Sequence, residues 1–180
     1  MISEFRKKKL AKVFNSMDSN GNGVLSKADL EKSFESTIAI QGHKPGSPEY
    51  QSGYDKMVTE PWNDLAKMDS NNDGKITWDE FIAFYDKPES DPGLNQLIAG
   101  GGELLFLMVD AHGKGQISLP EFTAMNLVWQ SDQAQADKTF AALDTNGDGS
   151  ISKEEFLAHV KTFFFSDDPN APGNLILGPV

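Results

Sequence analysis

Apolar residues return at intervals of three and four on both sides of four polar stretches. Phe14/Met17, Leu65/Met68, Phe106/Val109 and Phe140/Leu143 precede the stretches. Leu30/Phe34, Phe81/Phe84/Tyr85, Phe122/Met125 and Phe156/Val160 follow them. This spacing puts each set on one face of a helix, so the pattern predicts a helix–loop–helix unit repeated four times. The exiting helices open on Ser or Thr with an acid three residues later: Ser26/Asp29, Thr77/Glu80, Ser118/Glu121 and Ser152/Glu155. That is the spacing of a capping box. Pro120 falls in a first helical turn, where its missing N–H does no harm.

Two connectors rich in Gly, Pro and polar residues, 41–48 and 87–93, punctuate the chain. The second separates a first pair of units, 1–87, from a second, 94–165. A tail, 166–180, begins polar and ends in Leu175, Ile176, Leu177, Gly178, Pro179 and Val180. Its apolar end is expected to pack back onto the core, with Phe163, Phe164 and Phe165 beside it. The fold class is therefore all-α: four helix–loop–helix units in two pairs packed into one compact globule, with short β-bridges between paired loops.

The polar stretches carry the chemistry. They read DSNGNGVLSKAD (18–29), DSNNDGKITWDE (69–80), DAHGKGQISLPE (110–121) and DTNGDGSISKEE (144–155). The shared pattern is that of the EF-hand calcium loop. Calcium takes about 6–8 oxygens at about 2.3–2.6 Å. Positions 1, 3 and 5 supply side chains, Gly at position 6 allows the sharp turn, and position 7 gives a backbone carbonyl. Position 9 often acts through water, and a Glu at position 12 reaches in with both oxygens.

The second loop has the full set: Asp69, Asn71, Asp73, the Lys75 carbonyl, Thr77 and Glu80. So does the fourth: Asp144, Asn146, Asp148, the Ser150 carbonyl, Ser152 and Glu155. The first offers Asp18, Asn20, Asn22, the Val24 carbonyl, Ser26 and Asp29. It has two carboxylates where the complete loops have three, and a shorter arm at position 12. Both features weaken calcium binding, and a one-toothed Asp suits six-coordinate Mg²⁺. The third keeps Asp110, Gly115, Ser118 and Glu121 but has His112 and Lys114 at positions 3 and 5. A cation in place of an oxygen repels calcium, so this loop reads as a structural partner. Ile117 and Ile151, like Leu25 and Ile76, occupy position 8, where paired loops meet. The expectation is three Ca²⁺ sites, with Mg²⁺ competing most strongly at the first loop.

Charge and composition narrow the partners. Lys and Arg number 16 against 27 Asp and Glu, a formal net charge of −11 over 180 residues. Nucleic acid and anionic membrane surfaces repel such a chain. The absence of cysteine excludes disulfides and thiolate chemistry, and three scattered histidines, His43, His112 and His159, do not make a zinc site. No apolar run is long enough for a membrane span. The basic start, Met1 to Lys9, reads as the first helix of a cytosolic protein, with Lys7, Lys8 and Lys9 as a solvated face. No nucleophile motif or phosphate loop suggests an enzyme.

Over nearly its whole length the chain resembles the invertebrate sarcoplasmic calcium-binding proteins, a branch of the calmodulin superfamily. The marks are the total length, Asp29 at position 12, a disabled loop and the ending Leu177-Gly178-Pro179-Val180. The resemblance implies two EF-hand pairs packed face to face in a monomeric cytoplasmic calcium buffer. The same branch holds coelenterazine-binding photoproteins and luciferin-binding proteins. The stretch from Gly115 to Phe122 is similar to the luciferin-binding type, and His159 falls where a photoprotein has a ligand-binding His. Phe163 stands where that group usually has Trp, and an aliphatic residue near Leu177 replaces its Tyr. Two alternatives follow: a calexcitin-like sensor exposing an apolar groove to a protein target, and a carrier that releases coelenterazine or luciferin on binding calcium. Sensors tend to use flexible Met surfaces, and this chain has 6 Met.

Overall fold

The computed structural model describes residues 1–41, 44–128 and 133–178. Gly42 and His43 of the first connector, and Pro179 and Val180 of the tail, lie outside the described residues. Contacts divide the chain into two units. One is formed by Ile2 and Leu10–Lys87, the other by Met1, Ser3–Lys9 and Pro88–Val180.

From Leu10 onward helix α1 (Glu4–Met17) belongs to the unit of Ile2 and Leu10–Lys87 and leads through the first loop to strand β1 (Val24–Ser26) and helix α2 (Lys27–Gln41). The second hand is entered less regularly. Helix α3 (Pro48–Tyr54), a π-helical turn (Asp55–Thr59), helix α4 (Glu60–Leu65) and a 3₁₀ turn (Ala66–Met68) precede strand β2 (Lys75–Thr77) and helix α5 (Trp78–Tyr85). Pro61 has no N–H for Met57, which disfavours regular α-helical bonding at this point. The wider turn carries Val58 inward, where it is fully buried with Phe34, flanked by Leu30, Tyr50 and Tyr54. The Tyr54 hydroxyl donates to Glu31 at 2.6 Å. Under the loops, Phe14 meets Trp78 and Phe81 edge-on, with ring centroids 5.4 and 5.3 Å apart. β1 pairs antiparallel with β2, and Leu25 faces Ile76.

The other unit runs through α6 (Pro92–Val109), β3 (Gln116–Ser118), α7 (Leu119–Val128), α8 (Gln133–Leu143), β4 (Ser150–Ser152) and α9 (Lys153–Phe165). β3 pairs antiparallel with β4, and Ile117 faces Ile151, both fully buried. Both position-8 pairs thus meet as their spacing requires. Phe106 packs on Phe156 and Phe122 on Phe140, at 5.6 and 5.8 Å between centroids. Each such buried ring contributes roughly 1.5–3 kcal/mol of transfer free energy. Gly102 lets α6 approach α9 closely, since a Cβ there would lie 2.9 Å from Leu157 Cδ2.

After α9 the chain folds back. A 3₁₀ turn (Pro172–Leu175) packs on α9, with Gly173, Asn174, Ile176 and Gly178 buried. Ser3 donates to the Asp167 carboxylate, and Arg6 Nε donates to the Phe164 carbonyl at 2.9 Å. The expectation of a solvated face for Lys7, Lys8 and Lys9 holds for Lys8 but fails for Lys9, which is 1% exposed. One helical turn after Phe5, Lys9 points its ammonium between the rings of Phe5 and Phe163, at 4.9 and 5.4 Å. Its Nζ donates to the Ser166 carbonyl at 2.7 Å and to Asn174 Oδ1 at 2.9 Å. Burial, with the Arg6 charge nearby, lowers its pKa to about 8, against an opposing pull from Asp167.

Candidate metal centres

Each loop is built around its first Asp. In the first, Asp18 Oδ1 accepts from the N–H groups of Gly21 and Asn22 at 2.8 and 3.1 Å, and Oδ2 from Gly23 at 2.8 Å. In the second, Asp69 accepts from Asp73 at 3.2 Å and from Gly74 at 2.8 Å. In the fourth, Asp144 gathers Gly147, Asp148 and Gly149 at 2.9, 3.1 and 2.9 Å. Position 6 has φ of 81° at Gly23, 80° at Gly74 and 87° at Gly149. A residue with a Cβ is strained there, which explains the fixed glycine.

Positions 3 and 5 continue the wrap. Asn22, Asp73 and Asp148 donate backbone N–H groups to the position-3 amide oxygens of Asn20, Asn71 and Asn146, at 3.1, 2.8 and 2.8 Å. Val24, Lys75 and Ser150 donate in turn to position 5 at 3.0, 2.9 and 2.9 Å. The Ser150 hydroxyl also donates to Asp148, and these bonds hold that carboxyl below its usual range.

Position 12 is braced from both sides. Glu80 Oε2 accepts from the Thr77 N–H and hydroxyl at 3.0 and 2.8 Å, and Oε1 from the Ser70 N–H and hydroxyl at 3.0 and 2.8 Å. The Thr77 backbone bond leads in drawing its pKa down to about 2. Glu155 accepts from Ser152, Thr145 and Asn146. Burial pushes this carboxyl up, but those bonds outweigh it, and the net shift is downward. Both helices carry complete capping boxes, Thr77 with Glu80 and Ser152 with Glu155. In the first loop Asp29 is 2% exposed; its Oδ2 accepts from Ser26 N and Oγ, both at 2.9 Å.

The structure thus brings positions 1, 3 and 5 together in the first, second and fourth loops. It holds position 12 with position 9, and in the first loop with the position-3 side-chain amide as well. Among the described residues no three carboxylate or imidazole groups converge as a ready-made metal cluster. The donor set instead mixes carboxylate, amide, hydroxyl and carbonyl oxygens, all hard donors that fit calcium and do not select soft metals.

The third loop differs at position 3. Asp110 still collects Lys114 and Gly115 N–H groups at 2.9 and 2.7 Å. Glu121 accepts from the Ser118 N–H and hydroxyl at 2.9 and 2.5 Å, and its other oxygen lies 2.6 Å from His112 Nδ1. The Ser118 hydroxyl and N–H, then His112, draw the Glu121 carboxyl down to about 2.

Three supporting residues have no place in the loop motif. Ser70 at position 2 steadies Glu80. His159 bridges α9 to the start of the fourth loop, its Nε2 lying 3.0 Å from the Leu143 carbonyl and 3.3 Å from Thr145 Oγ1. Lys9 ties α1 to the tail. Only His159 carried a signal, its placement one turn beyond Glu155.

Comparison with known proteins agrees with this geometry. The model of the EF-hand domain pair matches residues 7–86, and that of the single EF hand matches 136–161. The chain belongs to the EF-hand family. Calerythrin from Saccharopolyspora erythraea is 28% identical over 169 residues, which cover 92% of this chain and 95% of that protein. A sarcoplasmic calcium-binding protein alpha chain from Penaeus vannamei is 24% identical, covering 91% and 89%. The structure of a sarcoplasmic calcium-binding protein from amphioxus superposes with a TM-score of 0.82 over the full length of both chains, at 20% identity. Over nearly its full length the EF-hand chain is thus similar to calerythrin and to the sarcoplasmic calcium-binding proteins.

Proposed function

We propose that this EF-hand protein is a cytoplasmic Ca²⁺/Mg²⁺ buffer with three working hands, the first, second and fourth. The metal would be held by Asp18, Asn20, Asn22, the Val24 carbonyl, Ser26 and Asp29; by Asp69, Asn71, Asp73, the Lys75 carbonyl, Thr77 and Glu80; and by Asp144, Asn146, Asp148, the Ser150 carbonyl, Ser152 and Glu155. The observation that carries this reading is the contrast at position 3. Asn20, Asn71 and Asn146 each turn an amide oxygen into the loop, whereas His112 spends its ring on Glu121. Mg²⁺ competes most at the first hand. Calorimetric titration with Ca²⁺, with and without Mg²⁺, tests the reading. Three ions per chain are expected, and two or four would overturn it.

A second reading is a calcium sensor. It is favoured by Leu104, Leu107 and Met108, which stand 49%, 66% and 79% exposed on one side of α6. A solvent-facing apolar stripe of this kind is how a sensor grips a target helix. Binding of a hydrophobic dye separates the two: a large calcium-dependent rise supports the sensor, and an unchanged signal supports the buffer.

A further inference from the structure

The third loop has lost two ligand positions, yet it is closed. Asp110 organises its amides as in the other loops, and β3 is laid in register against β4: Gln116 opposite Ser152, Ile117 opposite Ile151, Ser118 opposite Ser150. The means of closure is the side chain at position 3. In the second loop the outer oxygen of the position-12 carboxylate is steadied by the Ser70 hydroxyl at 2.8 Å. The third loop has Ala111 at that position and no hydroxyl to offer. The His112 ring, one residue further on, takes over at 2.6 Å and is joined by its own backbone N–H at 3.3 Å. The side chain of Glu121 is only 6% exposed, while that of His112 is 67% exposed. A buried carboxylate left without a donor is costly, so the imidazole keeps position 12 in place. Asn20 does the same in the first loop, its Nδ2 donating to Asp29 Oδ1 at 2.6 Å.

We propose that His112 is a positioning residue for calcium capture by the fourth loop: it holds Glu121 shut without metal, so that β3 is a fixed template on which β4 and its loop are set. The inference rests on the reading of the fourth loop as a metal site. Ser150 and Ser152, which frame β4, are also positions 7 and 9 of that loop, so a template that fixes β4 fixes two of its donors. In the unit of Leu10–Lys87 both paired loops keep a full set of ligand positions; in this unit one loop is closed without one.

The test is a calcium titration of the full chain followed site by site through the amide resonances of Gly23, Gly74 and Gly149. Hydrogen exchange of the two β-ladders is measured in the metal-free protein alongside it. His112→Leu is expected to raise the dissociation constant at the fourth loop about tenfold, the scale of one lost charge-assisted hydrogen bond, and to leave Gly23 and Gly74 unmoved. His112→Asn, which restores an amide donor of the Asn20 kind, is expected to recover most of the loss with the ion count unchanged. In the metal-free protein the β3–β4 amides should exchange more slowly than those of β1–β2, and His112→Leu should remove that difference. Wild-type affinity at the fourth loop in His112→Leu overturns the proposal, as does equal weakening in His112→Leu and His112→Asn, which would mean that ring bulk alone matters. A Glu155→Gln variant that leaves the Gly149 titration intact would instead defeat the reading of the fourth loop as a site.

Discussion

Asn20 and Asp29, nine residues apart, meet directly: the Asn20 side-chain amide donates to Asp29 Oδ1 at 2.6 Å. The shorter carboxylate at position 12 is thereby tied to position 3, whereas the Glu80 carboxylate is held by Ser70 and Thr77.

The first hand should therefore discriminate least against Mg²⁺, which demands six-fold geometry and gains nothing from a second carboxylate oxygen. Asp29→Glu is expected to raise the Ca²⁺/Mg²⁺ preference there about tenfold or more. Competition titrations at the Gly23 resonance measure it, and an unchanged ratio would sink the argument.

Removing one position-12 charge should separate the loops by function. Glu80→Gln and Glu155→Gln are each expected to abolish one ion from the stoichiometry and weaken that site by roughly two orders of magnitude. Glu121→Gln should leave the number of ions unchanged. Equal loss of ions in all three variants would contradict the division of labour.

Acid sensitivity follows from the same carboxylates. Glu80 and Glu121 have folded-state values of about 2 against an ordinary 4.5. A depressed carboxylate stabilises the fold above its unfolded value, and that stability is lost as pH falls through the folded one. The metal-free protein should thus lose stability between about pH 4.5 and pH 2. Glu121→Gln should flatten the profile across that window, as followed by denaturant unfolding at stepped pH. A profile as steep as the wild type's would count against it.

Much of this was legible in the sequence because the loops are local. Twelve consecutive residues set the amide-gathering role of Asp18, Asp69 and Asp144, and the three-and-four spacing around them fixed Phe14, Phe81 and Phe156 on inner faces. Leu25 with Ile76 and Ile117 with Ile151 followed from position 8. What escaped depends on contacts distant along the chain. Lys9 belongs to a basic run and reads as solvated, but its partners, Ser166 and Asn174, lie at the other end of the sequence. The π-helical turn at 55–59 has no pattern of its own beyond Pro61. Ser70 was hidden because position 2 of the loop motif is unrestricted.

The tail docks on a glycine. A Cβ at Gly173 would lie 2.6 Å from the His159 carbonyl oxygen and 2.7 Å from Thr162 Cβ. Gly173→Ala should push the 3₁₀ turn off α9 and cost roughly 1–3 kcal/mol, the scale of overpacking. A lower melting temperature, with faster proteolysis after Phe165, is expected; a wild-type melt would refute the close contact.

Lys9 offers a test at alkaline pH. Its folded value of about 8 lies below the ordinary 10.5. Between those values the unfolded chain holds a proton that the folded chain has released, so stability rises with pH across that interval. The neutral amine keeps two N–H bonds, matching its two acceptors. Wild-type stability relative to Lys9→Met should therefore climb from about pH 8 to pH 10.5. A constant difference would show that the ammonium is not penalised by its surroundings.

One residue, Asn72, distinguishes the second loop from its neighbours. At position 4 the chain turns left-handed in every loop, with φ of 71° at Gly21, 62° at Gly113, 72° at Gly147 and 58° at Asn72. Glycine reaches that region freely but wanders widely in the unfolded chain, whereas asparagine tolerates it and wanders less. Closing the loop at 69–80 therefore removes less conformational disorder at this hinge than closing the others. The residue that looks like the strained exception leaves the second hand with less freedom to surrender when a cation arrives.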